Sequence, residues 1–251
     1  MASRRGQLLD GVLLLDKPEG LSSNHALQRA KRTLDARKAG HTGTLDPFAT
    51  GLLICCFGRT TKIAGAMLDA DKVYEATVLF GEETDSGDLT GNVVTRVDAF
   101  EGVGLEQLES VLPAFRGEIE QIPPMYSALK RDGKPLYKYA REGIEVERAP
   151  RRVTIHNLKL LAFDGRQARL SVHCSKGTYI RTLAQDIGRA LGCGAHLVAL
   201  RRTAVGPFTI EGAVALDALQ TMTDPVSALI APDKLPPGLM PAGAQQKDEH
   251  L

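Results

Sequence analysis

The sequence lacks several features that would assign it to a class at once. Its 251 residues carry a formal net charge of only +1, so bulk charge neither indicates nor excludes a nucleic-acid partner. No stretch approaches the roughly 18 apolar residues that a membrane helix needs. The four cysteines form no C-x-x-C pair, and with no secretory signal in the sequence they predict reduced thiols in a cytoplasmic protein.

The motifs of common cofactor chemistry are missing as well. The sequence has no G-x-x-x-x-G-K-[ST] or G-x-G-x-x-G for a nucleotide, and no G-x-S-x-G for a serine hydrolase. His41 with Cys55 and Cys56 does not have the spacing of a metal site, so buried cysteines are the better interpretation. Asp85 to Asp88 lacks the rest of an EF-hand loop and predicts a turn. We therefore expect chemistry without a metal or a cofactor.

What is present is an ordinary globular composition with two charge blocks. Hydrophobic residues make up 43% and charged residues 24%, which favours one large domain or one domain with a small appendage. Residues 75–120 carry 11 acids against 2 bases, whereas residues 127–152 carry 8 bases against 4 acids. The basic block includes Tyr137 and Tyr139 and follows Tyr126. Basic side chains among aromatic rings shift the interpretation from a solvated face toward RNA contact.

Hydrophobic periodicity predicts a mixture of strands and helices. We expect strands at 11–16, 72–80, 151–163, 168–174 and 197–203, and helices from Ser22 or Ser23, around 105–115 and at 178–191. Because this order has no βαβ rhythm, the predicted fold class is α+β, with a mixed, mostly antiparallel sheet flanked by helices. Residues 224–243 hold five of the 13 prolines, so the last 25 or so residues are expected to be an extended or disordered tail.

Residues 38–51 have the glycine-rich composition of a shaped loop rather than of a strand or helix. Asp46 is the only acid between residues 36 and 68, and it has His41 and several basic residues as sequence neighbours. Because a carboxylate beside basic groups is ionised at pH 7, Asp46 is a poor general base but an available anion or nucleophile. The alternative interpretation is an Asp-Pro pair that begins a turn.

Several ordered motifs resemble those of one family. Residues 40–51, GHTGTLDPFATG, resemble the catalytic motif of the TruB family of tRNA pseudouridine synthases, and Asp46 is the aspartate of that motif. The other matching segments, which together extend the resemblance over residues 8–210, are 15–23, 71–74, 121–130, 136–143, 174–181, 192–197 and 200–202.

The resemblance implies the pseudouridine synthase fold, with a catalytic domain at 8–210 and an insertion at about 121–152 that grips RNA. Residues 211–251 would be a short C-terminal extension, in which the family's C-terminal RNA-binding domain is absent or reduced. The implied enzyme is of the bacterial type and converts uridine 55 in the T loop of tRNA to pseudouridine. Its partner would be the T arm of tRNA, with no cofactor, metal, membrane or protein partner required, and we expect a cytoplasmic monomer.

The family's residue roles transfer to the matching positions. Asp46 would be the nucleophile, attacking either C6 of the base or C1′ of the ribose, and Arg181 would pair with it. Tyr74 would stack on the target base and assist removal of the C5 proton. His41 would fill the space that the flipped uridine leaves. The remaining residues expected to support the pocket or contact RNA are Lys17, Tyr179, Leu200, Lys130 and Arg141.

Apart from the resemblance, some of these residues have plainer interpretations. Tyr74 and Leu200 fit a hydrophobic core, and His41 fits a loop histidine bonded to the backbone. The alternative function is a non-catalytic RNA-binding or tRNA-folding factor on the same scaffold, which the joint presence of Asp46, Tyr74 and Arg181 disfavours. A carbohydrate-processing enzyme would need a second carboxylate beside Asp46, and none stands out in the sequence.

Overall fold

The computed structural model describes residues 6–240, and these residues form fourteen strands and six α-helices. The strands are β1 Gly11–Lys17, β2 Ala39–Thr42, β3 Thr50–Phe57, β4 Lys72–Phe80, β5 Glu82–Thr84, β6 Val93–Arg96, β7 Gly117–Gln121, β8 Lys130–Arg131, β9 Lys134–Pro135, β10 Arg151–Phe163, β11 Gln167–Cys174, β12 Ala195–Val205, β13 Phe208–Thr209 and β14 Val214–Ala215. The helices are α1 Ser23–Thr33, α2 Ala64–Asp69, α3 Leu105–Val111, α4 Leu136–Arg141, α5 Ile180–Ala190 and α6 Leu216–Thr221. None of the described helices is long and apolar enough to cross a membrane.

The described chain divides into two compact units. The first contains the residues up to 72 together with those from 201 onward, and the second contains residues 73–200.

The first unit is built around β1 and β3, which pair in antiparallel fashion along their whole lengths. Strand β14 is parallel to β1, the end of β12 is parallel to β3, and β2 is antiparallel to β3. Alternate residues of β1 and β3 enter two separate hydrophobic clusters, one lined by α2 and the C-terminal residues and the other by α1 and α6. Both strands are therefore nearly continuous apolar runs, because both of their faces are buried.

The buried thiols follow the same alternation. Cys55 and Cys56 are neighbours in β3 and enter opposite clusters. Burial raises the pKa of both thiols, that of Cys56 to about 12. Cys174 and Cys193 are also buried, and none of the four cysteines is in a disulfide. The prediction of buried, reduced cysteines is confirmed.

The C-terminal residues of the first unit correct one expectation. Instead of an extended or disordered tail, Pro225–Ala228 and Pro232–Lys234 form 3-10 helices. The backbone of Ile230 exchanges two hydrogen bonds with Val12, of 2.8 and 2.9 Å, and Leu235 is buried against the sheet. Proline pre-sets the backbone for such turns, and the apolar residues between the prolines cover the face of β1. The part of the predicted tail at 241–251 lies outside the described residues.

The second unit contains strands in the order β4-β11-β10-β7, with β10 antiparallel to both of its neighbours. It also contains the hairpins β5-β6 and β8-β9. Helix α5 buries its apolar stripe, which includes Leu183 and Ile187. The predicted strands at 72–80, 151–163 and 168–174 and the helix at 178–191 are confirmed, with ends that differ by at most two residues. Mostly antiparallel pairing with helices confirms the α+β class.

Candidate active site

Asp46 lies in the loop of residues 43–49 that joins β2 to β3. The expected loop over 38–51 was wrong at its ends, because Ala39–Thr42 form β2 and Thr50 already belongs to β3. His41 pairs with Cys55 across the two strands. The glycine-rich sequence concealed a strand because pairing with a buried neighbour, rather than intrinsic propensity, stabilises it.

The Asp46 loop is fixed by the segment that follows β1. Ser23, buried at the start of α1, accepts a hydrogen bond from the Leu45 N–H at 2.8 Å and donates one to the Leu45 carbonyl at 3.1 Å. The Gly20 N–H donates to the carbonyl of Pro47 at 2.8 Å. Residues on both sides of Asp46 are thus held, which explains why the motifs at 15–23 and 40–51 belong together.

Lys17 is fully buried and acts as a donor to three carbonyls. Its Nζ lies 2.8 Å from the oxygen of Pro18, 2.7 Å from that of Leu21 and 3.3 Å from that of Pro47. Burial lowers the pKa of Lys17 to about 8, although the negative charge of Asp46 opposes this shift. The structure therefore places Lys17 under the Asp46 loop, where its ammonium group joins two loops.

Arg202 is a further buried cation that residue-level reasoning from the sequence missed. It is 1% exposed, and its guanidinium donates to the carbonyls of Leu52 at 2.8 Å and Gly43 at 3.1 Å. Gly51 has φ +101°, and a Cβ there would lie 2.3 Å from the Arg202 carbonyl oxygen, so only glycine permits β12 to approach β3 this closely. The sequence did carry a signal, because Arg202 ends the matching segment at 200–202.

His41 is half-buried in β2, beside Arg202. Burial and the positive charge of Arg202 lower the pKa of the imidazole, so that His41 is neutral at pH 7. Its buried Nδ1 has no hydrogen-bond partner within residues 6–240. A buried polar atom without a partner is costly, and an incoming ligand that bonds to it removes this cost.

The second unit holds Arg181 in the first turn of α5, where it is 4% exposed. Its guanidinium donates to the carbonyls of Ser86 at 2.8 Å and Tyr126 at 2.6 Å, and lies 3.6 Å from Oδ2 of the buried Asp88. The other oxygen of Asp88 accepts hydrogen bonds from the N–H and hydroxyl of Thr90. Asp88 thus belongs to a hydrogen-bonded turn, as the sequence predicted, and this turn orients Arg181.

The start of α5 is fixed by a second residue that the sequence analysis did not single out. Gln121 is 2% exposed, and its Oε1 accepts a hydrogen bond from the Tyr179 N–H at 3.0 Å. Its Nε2 donates to the Tyr179 carbonyl at 3.2 Å. One amide side chain therefore satisfies both backbone groups of the residue that precedes α5, two positions before Arg181.

Comparison with known proteins agrees with this arrangement. The model of the TruB family pseudouridylate synthase N-terminal domain matches residues 31–180, and that of the tRNA pseudouridylate synthase B C-terminal domain matches residues 181–242. A Bordetella avium protein named tRNA pseudouridine synthase B is 74% identical over 243 residues, which cover 96% of this chain and 100% of that protein. This chain belongs to the TruB family.

More distant similarities agree with this assignment. An Azoarcus protein named tRNA pseudouridine synthase B is 60% identical, over 90% of this chain and 77% of that protein. A solved Cbf5-Nop10-Gar1 complex contains a chain that is 31% identical with a TM-score of 0.70, over 90% of this chain and 61% of that chain. An H/ACA RNP bound to a substrate RNA contains a chain that is 26% identical with a TM-score of 0.67. The expected pseudouridine synthase fold is confirmed.

The TruB tyrosine motif at 71–74 combines a structural lysine with the predicted catalytic tyrosine. Lys72 is buried, and its Nζ donates to carbonyls at the C-terminal end of α2, at 2.7 Å for Leu68 and 2.6 Å for Ala70. A cation there complements the helix dipole. Tyr74 is half-buried on the same side of β4 as the buried Ala76. Farther along the chain, Leu200 is buried in β12.

The predicted RNA-gripping insertion carries exposed cations beside tyrosine rings. Lys130 in β8 and Arg141 at the end of α4 are both exposed. The guanidinium carbon of Arg141 lies 5.3 Å from the centre of the Tyr137 ring. These cations lie outside any hydrophobic core, as phosphate-binding side chains must.

Proposed function

We propose that this chain is a tRNA pseudouridine synthase that isomerises uridine 55 in the T loop of tRNA. One observation carries the proposal: 74% identity with a tRNA pseudouridine synthase B along that protein's entire length. The reaction breaks the N1–C1′ glycosidic bond, reattaches the base to C1′ through C5, removes the C5 proton and places a proton on N1. Because substrate and product are isomers, no oxidant and no second substrate is needed.

Asp46 is the nucleophile in this proposal. The hydrogen bonds of Ser23 and Lys17 to its loop support that role, because covalent catalysis requires a nucleophile in fixed geometry. Arg181 is its counter-ion and keeps the carboxylate charged in a site closed to solvent. Two carbonyls and Asp88 already orient the guanidinium, so little side-chain entropy is lost when it pairs.

The target base must leave the folded T loop to reach a carboxylate, which costs a few kcal/mol. Tyr74 stacks on the flipped base and assists removal of the C5 proton, and Leu200 lines the base pocket. His41 occupies the space that the base leaves. A neutral imidazole enters stacked RNA without an unpaired charge.

Contacts to the RNA backbone offset the free-energy cost of flipping the base out of the T loop. Lys130 and Arg141 contact phosphates of the T arm from the insertion, and Tyr179 supports the pocket at the start of α5. The enzyme is proposed to act as a cytoplasmic monomer without a protein partner.

The test uses an unmodified T-arm stem-loop and detects pseudouridine by chemical probing. We expect product with the natural chain and none with Asp46→Asn, while the variant still binds the RNA. Asp35→Asn is a matched control, because Asp35 is exposed and its positive φ of 45° suits asparagine. RNA binding without product from the natural chain would instead indicate a non-catalytic RNA-binding factor.

A further inference from the structure

A pair of histidines on two neighbouring strands of the second unit has no role in the proposed reaction. His156 in β10 is exposed and His173 in β11 is half-buried. The centres of their rings are 4.8 Å apart, with the ring planes inclined by 49°. We propose that His156 and His173 form a binding site for a divalent late transition-metal ion such as Zn²⁺.

A β-bulge interrupts the strand pairing at these two histidines. Ile155 pairs with Cys174 and Asn157 pairs with His173, so that His156 is an extra residue on β10. Before the bulge the odd-numbered Val153 and Ile155 point inward, whereas after it the even-numbered Leu158 is buried. The change of phase turns both His156 and Asn157 outward, opposite His173. Without the extra residue, regular alternation could not place His156 and Asn157 side by side on one face.

The geometry suits chelation by two imidazoles. A ring nitrogen of His156 and one of His173 lie within 4.8 Å of each other. Two nitrogen ligands at roughly 2.05 Å from a tetrahedral ion are roughly 3.3 Å apart, a separation that small rotations of two surface rings can reach. Imidazole ligands select Zn²⁺, Ni²⁺ and Cu²⁺ rather than Mg²⁺ or Ca²⁺.

The site's affinity should depend on both rings. Once one imidazole holds the ion, the second binds it intramolecularly at a millimolar effective concentration. We therefore expect His156→Gln and His173→Gln each to weaken Zn²⁺ binding by at least about tenfold. His25→Gln is a matched control, because His25 is exposed on α1, in the other unit.

Calorimetric titration of the untagged full chain with Zn²⁺ tests the proposal at about pH 7.5, where imidazoles are ordinarily neutral. We expect one saturable site in the natural chain and the His25→Gln control, weakened in both pair variants. With Cu²⁺ as the probe, electron paramagnetic resonance should detect two nitrogen ligands in the natural chain and one in each pair variant. Equal Zn²⁺ affinity in all four proteins, or no saturable binding, would overturn the proposal.

Discussion

The two proposed halves of the catalytic machinery hold their charged groups in different ways. Around the Asp46 loop, Lys17 and Arg202 are buried cations whose hydrogen bonds go to main-chain carbonyls. In the second unit, Arg181 also donates to carbonyls, but it has in addition a buried carboxylate, Asp88, 3.6 Å away. Lys17 and Arg202 are thus held by backbone carbonyls, whereas Arg181 has a carboxylate beside it as well.

This difference changes what each cation does. Carbonyl ligands fix Lys17 in place without neutralising it, so its charge continues to act on Asp46, and the carboxylate in turn raises the pKa that burial lowers. Asp88 partly balances Arg181, which makes the burial of the guanidinium less costly. The contribution of Lys17 should therefore depend on pH, whereas that of Arg181 should depend on the planar shape of its guanidinium.

The largest effect should come from changing the shape of the second cation. Arg181→Lys keeps the charge, but an ammonium group cannot reach two carbonyls and a carboxylate in one plane. We expect kcat to fall at least about 100-fold with a small change in KM, measured on the T-arm stem-loop. Arg189→Lys on the exposed side of the same helix is the control. Near-normal turnover of Arg181→Lys would contradict the proposed pairing with Asp46.

The corresponding change in the first unit should separate activity from stability. Lys17→Met removes one donor from each of three carbonyls, of which that of Pro47 keeps the Gly20 N–H, but it also removes the cost of burying a charge. We expect activity to fall about 100-fold, while the free energy of unfolding changes by less than about 2 kcal/mol because the two effects oppose each other. Urea unfolding and stem-loop assays measure both quantities, with Lys234→Met as an exposed control. Unchanged activity would show that the loop needs no ammonium group.

A smaller effect is expected from the residue that fixes the start of α5. Gln121→Ala removes both hydrogen bonds to Tyr179; the Tyr179 N–H loses the Gln121 acceptor, whereas its carbonyl keeps the hydrogen bond from the Leu183 N–H. We expect a loss of about 1–3 kcal/mol in the free energy of unfolding. Gln167→Ala, at an exposed position of β11, serves as the control in thermal unfolding. A loss no larger than that of the control would mean that Gln121 is dispensable.

The pH dependence of stability sharpens the comparison further. The pKa of Lys17 is about 8 in the folded chain and 10.5 in the unfolded chain. Between these two pH values the unfolded chain therefore binds more protons than the folded chain. The free energy of unfolding of the natural chain should therefore rise with pH relative to Lys17→Met, by up to about 3 kcal/mol. Urea unfolding at several pH values measures this difference. A constant difference across the range would contradict the lowered pKa.

Much of the fold could be predicted because its signals are local. Alternation predicted β4, and the stripe of Leu183 and Ile187 predicted α5. The strand β2 could not be predicted, because four residues that include glycine have low strand propensity and depend on β3. The packing of Leu235 was missed for a similar reason, since no local pattern reveals which surface a proline-rich segment covers.

The candidate site could be predicted at the positions that family motifs mark. Asp46 and Lys17 lie together in the first unit, as the motifs suggested. Arg202 and Gln121 were within reach, since each lies in a matching segment, but their side-chain partners are main-chain groups far away in sequence. Every residue has a main-chain carbonyl, so the sequence does not indicate which carbonyl a buried side chain will bind.

The burial of all four thiols has a practical consequence for following this enzyme at work. Thiolates react with maleimides, and burial of Cys55 and Cys56 in β3 disfavours both ionisation and access of the reagent. A cysteine introduced at the exposed Lys138 would therefore accept a fluorophore selectively. The natural cysteines should therefore take up little label, as single-molecule measurements of tRNA docking require.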